Sequence, residues 1–246
     1  MKLFFFIAVA ALCSTVCEAQ NKNLLLLSEN LLYCVKTETP SDSLQLAIAR
    51  YSVRELANEL TDDNAKKAFW LNIYNAYYQL LSIQQKKTKP AIFTSKNIHF
   101  SDADFSLDGI EHGILRRYRW KYSLGYLPQL FPHKNIKKLA VTKKDFRIHF
   151  ALNCGAKSCP PIAFYNYEKI ETQLDLAARS FLEGESLIKE SEKVVYTTKI
   201  MQWFKGDFGG KKGIRKILSQ YLNKDFLGYK IKFNPYNQTE ELKNFN

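Results

Sequence analysis

The chain lacks three things at once: a second apolar segment, a paired set of metal-type ligands and any linker-like tract. Its 246 residues hold only five cysteines, four histidines and ten glycines. Beyond the first residues no apolar run approaches the roughly twenty that cross a bilayer, so no transmembrane segment is expected once a leader is removed. No internal repeat and no long glycine, serine or proline tract divides the sequence, which predicts one domain. The Cys-x4-Cys pair of Cys154 and Cys159 has no second Cys or His pair at finger-like distance, so neither a metal nor another cofactor is expected. That spacing is also not Cys-x-x-Cys, and no thioredoxin-like βαβ pattern surrounds it, which argues against thiol-disulfide exchange as the activity.

Acidic residues are scarce as well. The chain carries 24 Asp and Glu against 36 Lys and Arg, a formal charge of +12. The excess sits in short runs such as Arg116-Arg117, Lys137-Lys138, Lys143-Lys144 and Lys211-Lys212. Such runs suit an anionic surface or a polysaccharide as partner. Their scatter among apolar residues favours solvated faces instead, and nucleic acid is not an expected partner for an exported protein. Export is expected because Lys2 is followed by the apolar stretch Leu3 to Leu12 and then by Cys17 and Ala19, small residues placed for cleavage before Gln20. The expected layout is a signal peptide over 1–19, a helical lead-in over 20–43, the main domain over 44–233 and a fraying tail over 234–246.

Cleavage would leave Cys34, Cys154 and Cys159. An odd number in an oxidising compartment allows one disulfide and one free thiol, with the pairing open.

Helical spacing predicts one amphipathic helix from Ser43 to Glu59 and a second, apolar on most sides, beginning near Thr61, Asp62 and Asp63. Asn72 and Asn75 lie three apart on this second helix, on a face with small neighbours. Two readings stand: one amide orients a catalytic group, or both latch a neighbouring backbone. The stretch SLDGIEHGILRRY predicts a helix capped by Ser106, bringing Glu111, His112 and Arg116 together as an acid-base cluster or a surface ion-pair ladder. Alternation from Phe146 to Leu152 predicts a strand with Arg147 and His149 on its polar face. Asn153 to Pro161 would then be a loop at its end, with Gly155 supplying an unusual backbone angle. A further helix is expected from Tyr167 to Leu182 behind an Asn166 cap, and short strands at Lys193 to Thr198 and Tyr229 to Phe233. Helices and strands mix without regular alternation. The fold class is therefore α+β, a mostly helical single domain with a small, mainly antiparallel sheet.

AFWLNIYNAYYQLL, SLDGIEHGILRR, RIHFALNCGAKSCPPI and WFKGDFGG, in this order, resemble the DUF547 family, a domain of unknown function, over about Leu44 to Phe233. The resemblance implies that Asn72, Asn75, Glu111, His112, Arg116, His149, Cys154 and Cys159 fall in family motifs, and brings no activity with it. Phe233-Asn234-Pro235-Tyr236 departs from the family's pattern, so nothing is implied for the segment that follows.

The leading expectation is a thiol hydrolase or acyltransferase acting on amide or ester bonds of an unidentified substrate. Cys154 would be the nucleophile and His112 the base, with Glu111 or Asn72 orienting the imidazole, and His149 the competing base. Backbone N–H groups near Gly155 would serve an oxyanion, and Asn75, Arg116 and Arg147 would form the supporting polar network. His112 precedes Cys154 in the chain, so a papain-like arrangement would have to be a permuted one. The alternative is a non-catalytic exported binding module stapled by a Cys154–Cys159 disulfide.

Overall fold

A computed structural model describes residues 24–246. The expected leader and its cleavage site lie outside the described residues. The first element is α1, residues 24–37, which buries Leu24, Leu31 and Leu32. The single helix expected from Ser43 to Glu59 is two, α2 (Asp42–Ala49) and α3 (Val53–Glu59). Ser52 breaks them, because its extended backbone and hydroxyl start a capping box with Glu55.

The second expected helix is α4 (Asp63–Ile83), and Asp62 caps it by accepting from the N–H groups of Asn64 and Ala65. Burial from Ala65 to Leu81 is continuous, so α4 is the axis around which the remaining elements pack. After a short α5 (Ala91–Thr94), β1 (Ile98–Phe100) and β2 (Ala103–Phe105) pair antiparallel. Their Phe100 and Phe105 close on Trp70 of α4 at 5.8 and 5.7 Å between ring centres.

Two turns depart from regular helix or strand. Gly109–Leu115 is a π-helix, with the Arg116 N–H donating to the Glu111 carbonyl at 2.9 Å. A wide turn of this kind is rare and concentrates at functional sites. Phe146–Phe150 is a 3-10 helix, not the expected strand. The alternation was misleading because Ile148, His149 and Phe150 are all buried, in different directions. Ile148 joins the large cluster around α4, whereas Phe150 joins a second cluster. A strand offers two faces only, and a tight helical turn offers more.

Between these turns lies α6 (Lys134–Leu139). The second cluster is built from α7 (Ile170–Glu185), α8 (Ile200–Trp203) and α9 (Gly210–Tyr221). A short 3-10 turn, Tyr167–Lys169, capped by Asn166 as expected, leads into α7. Beside them β3 (Leu187–Lys189) pairs antiparallel with β4 (Val194–Thr197), and β4 pairs parallel with β5 (Lys230–Phe233). The architecture is α+β and mostly helical, with two small sheets. Among the described residues no helix is long and apolar enough to cross a membrane.

The C-terminal residues, expected as a tail, are hydrogen-bonded to the body of the domain. Lys157 and Ser158 donate to the carbonyls of Thr239 and Asn237, Glu241 donates to Gly155, and Ile162 donates to Asn244. The tail is thus tied along the cysteine loop.

Candidate functional site

The cysteine loop is held from beneath by α4. The Asn75 amide donates to the Ala151 carbonyl at 3.0 Å and accepts from the Asn153 N–H at 3.0 Å. Asn153 in turn accepts from the Gly155 N–H and donates to the Pro160 carbonyl, which closes the loop on itself. Gly155 has φ +65°, and a Cβ there would sit 2.4 Å from the Tyr78 ring, so glycine is required both by conformation and by space. Cys154 and Cys159, 6.0 Å apart at Cα, form a disulfide, and Cys34 is a free thiol.

Asn72 serves a different partner. Its amide donates to the Tyr165 carbonyl and accepts from the Tyr165 N–H, and it is fully buried. Both asparagines are therefore backbone latches, and Asn72 does not orient an imidazole. Arg147 is likewise outside the site. Its guanidinium pairs with Asp145, Glu171 and Asp175 across a separate charged cleft.

A cavity of about 310 Å³ opens over the disulfide. Glu111 and His112 reach it from the π-helix, His149 from the 3-10 turn, Tyr74 from α4, and Phe204 and Tyr236 from the chain following α8 and β5. The wide π-turn lets two adjacent side chains, Glu111 and His112, line one space. Burial pushes the Glu111 carboxyl up, against the pull of Arg116, and the Tyr74 hydroxyl donates to it at 3.4 Å. Burial also drives His112 down to about 3, reinforced by the Arg116 charge.

Donor chemistry settles how the two histidines differ. Arginine can only donate, so the 2.8 Å contact from the Arg116 guanidinium makes His112 Nδ1 an acceptor. A neutral His112 then carries its proton on Nε2, which lies 3.6 Å from Asp108. The basic lone pair is already used, and Nδ1 cannot donate to Glu111 at 3.4 Å. In this tautomer His112 donates through Nε2 while its Nδ1 is engaged by Arg116.

His149 is arranged the opposite way. Its Nε2 lies 3.1 Å from Asp207 Oδ2, and a carboxylate only accepts, so Nε2 donates and Nδ1 keeps a free lone pair. Burial opposes the charge on Asp207, yet the His149 and Arg116 contacts outweigh it and hold the carboxyl well below its usual range. Burial lowers His149 as well, so its resting form is neutral. Phe204 stacks on the ring with 4.1 Å between centres and fixes its plane. The oriented neutral imidazole and the Cys154 and Cys159 sulfurs line one cavity, to which Asp207 contributes only through His149, and perturbed groups gathered in a cleft are the usual mark of a working site.

Two members were missed from sequence. Asp207 lies in the quoted WFKGDFGG stretch, but nothing in that stretch marked its acid as the partner of a histidine 58 positions earlier. Tyr236 lies where the family pattern breaks. Its hydroxyl is 3.1 Å from Cys154 Sγ and 3.0 Å from Cys159 Sγ, and burial raises its pKa, so it stays a protonated donor. Of the backbone N–H groups near Gly155 expected to serve an oxyanion, that of Gly155 donates to Asn153 Oδ1, and those of Cys154 and Ala156 lie 3.1 and 3.5 Å from Cys159 Sγ.

No curated protein and no solved structure matches the chain. The model of a family described as "Protein of unknown function, DUF547" matches residues 57–182, just over half of the sequence, spanning α4, the π-helix, the 3-10 turn and the cysteine loop. This chain belongs to the DUF547 family.

Proposed function

We propose that the protein is an exported, cysteine-dependent hydrolase or acyltransferase of amide or ester bonds, active when the Cys154–Cys159 bond is reduced. The observation that carries the reading is the Asp207–His149 contact, which puts the ring proton on Nε2 and leaves Nδ1 as the basic nitrogen of a residue that lines the same cavity as Cys154. In this scheme His149 takes the Cys154 proton and the thiolate attacks the substrate carbonyl. The imidazolium then returns the proton to the departing amine or alcohol, leaving a thioester. Water or an acceptor nucleophile cleaves the thioester and restores the thiol. The Tyr236 hydroxyl and the His112 Nε2–H are the donors available to the developing oxyanion.

Removing the resolving sulfur tests this directly. Cys159→Ser should let Cys154 be acylated by an activated ester probe without reductant, seen as an added mass on the Cys154 peptide. The wild type should need reductant, and Cys154→Ser should never label. A Cys154 that alkylates in Cys159→Ser only near the ordinary thiol pKa of about 8.5, with or without His149→Asn, sinks the proposal. That result would favour the second reading, a non-catalytic binding module, whose support is that the disulfide itself walls the cavity.

A further inference from the structure

Residues 112–144 contain nine Lys and Arg and no Asp or Glu. Within the same stretch lie Trp120, Tyr122, Leu124, Tyr126, Leu127, Leu130 and Phe131, seven of the sixteen large hydrophobic side chains exposed among the described residues. Residues 118–129 of it form a hairpin, with Leu130 and Phe131 just beyond its second arm. Trp120 N–H donates to the Leu127 carbonyl at 3.0 Å, Gln129 N–H to Tyr118 at 2.7 Å, and Arg119 bridges Pro128. Its turn is pinned to the body, because Gly206 N–H donates to the Leu124 carbonyl at 2.7 Å and a Cβ on Gly206 would meet the Tyr126 nitrogen at 2.5 Å. The apolar side chains are thus presented by a braced scaffold.

We propose that this hairpin is a membrane-docking surface for an anionic phospholipid bilayer. Leu130 and Phe131, 83% and 89% exposed, are placed for burial among acyl chains, beside an apolar groove of about 500 Å³ shared with Trp120 and Leu127. Trp120, Tyr122 and Tyr126 are of the ring types that settle at the headgroup level. Among the described residues Arg117, Arg119, Lys134, Lys137 and Lys138 make no ion pair, so their charge is available to anionic headgroups. Each basic group near such a surface strengthens partition by about fivefold. A solvated face alone explains the cations but not the apolar side chains between them, and large exposed apolar patches usually mark interaction sites. Lys121 of the hairpin also lines the cavity, through its 2.6 Å contact with Asp108, which sets the docked face beside the cavity mouth. The inference does not depend on the cavity being catalytic.

Co-sedimentation of the purified protein with phosphatidylcholine vesicles, with and without phosphatidylglycerol, tests it. Binding should require the anionic lipid, weaken with salt and shift Trp120 emission to the blue. Leu130→Ser with Phe131→Ser, and separately Lys137→Glu with Lys138→Glu, should each lower partition about tenfold or more while leaving the melting temperature unchanged. Equal binding to neutral vesicles, no binding to either, or undiminished binding by the Leu130/Phe131 variant overturns the proposal. So does a dimer in sedimentation velocity that the Leu130/Phe131 variant dissolves while vesicles remain unbound, since a second copy would then be the occupant.

Discussion

Replacing Asp207 by Asn removes one negative charge from the place where three elements meet. The carboxylate accepts from Arg116 Nε at 2.6 Å, Lys144 at 3.2 Å and His149 at 3.1 Å. The Arg116 and Asp207 side chains are only 1% and 3% exposed, so water cannot replace the lost partner. Stranding one member of a buried pair costs about 3–5 kcal/mol, against about a tenth of that for a solvent-exposed pair, and burial places this pair in the first class. For a chain of this length that corresponds to a fall in melting temperature of about 10 °C, measurable by calorimetry or urea titration. The attribution to a stranded guanidinium has its own check. Arg116→Met combined with Asp207→Leu should be less destabilised than Asp207→Asn alone, because neither charge is then left buried. A single Asp207→Asn variant within about 1 kcal/mol of wild type would show that the pair is hydrated, and would also remove the basis for an oriented His149.

Other consequences follow from neighbouring contacts. Asn75→Ala leaves the Ala151 carbonyl and Asn153 N–H without their partner, so a loss of about 2–5 kcal/mol and faster amide exchange at Asn153 are expected in urea melts and hydrogen exchange. Gly155→Ala combines a left-handed φ of +65° with a 2.4 Å approach to Tyr78 and should cost about 2–4 kcal/mol; a melt like wild type would refute the required glycine. His112 sits at about 3 in the fold and near 6.5 when unfolded, so the unfolded chain binds more protons between these values. Stability should therefore fall as pH drops from about 6.5 toward 3, with Asp207 adding its own loss below about 4. His112→Gln should flatten the upper part of that profile in pH-dependent denaturation.

How far the site could be read in advance depended on how local each signal was. The cap at Asp62 and the burial of α4 are written in adjacent residues, and so are the Asn75 and Asn72 faces, although their partners are not. Sequence spacing also brought Glu111, His112 and Arg116 together, but it implied an ordinary helix. The π-turn depends on tertiary context that spacing cannot carry. The strand expected at Phe146–Leu152 failed for a related reason. Period-two alternation describes a segment lying on one core, and this segment lies between two.

The unequal contacts of His112 and His149 show why residue type alone could not rank them as bases. Both are neutral imidazoles lining one cavity, and the nearer neighbour in sequence misleads: Arg116, four residues on, is what occupies the His112 lone pair. The partner that frees the lone pair of His149 is Asp207, 58 positions away, delivered by the loop between α8 and α9. Arg116 also donates to Asp207, so one guanidinium withdraws basicity from His112 while fixing the carboxylate that orients His149. The two histidines are thereby made unequal by a single shared neighbour. On this argument Arg116→Lys, which keeps a charge but not the two-directional fork, should disturb both imidazoles at once. NMR would then show the tautomers of both rings losing their definition, while burial still holds His112 below its ordinary pKa.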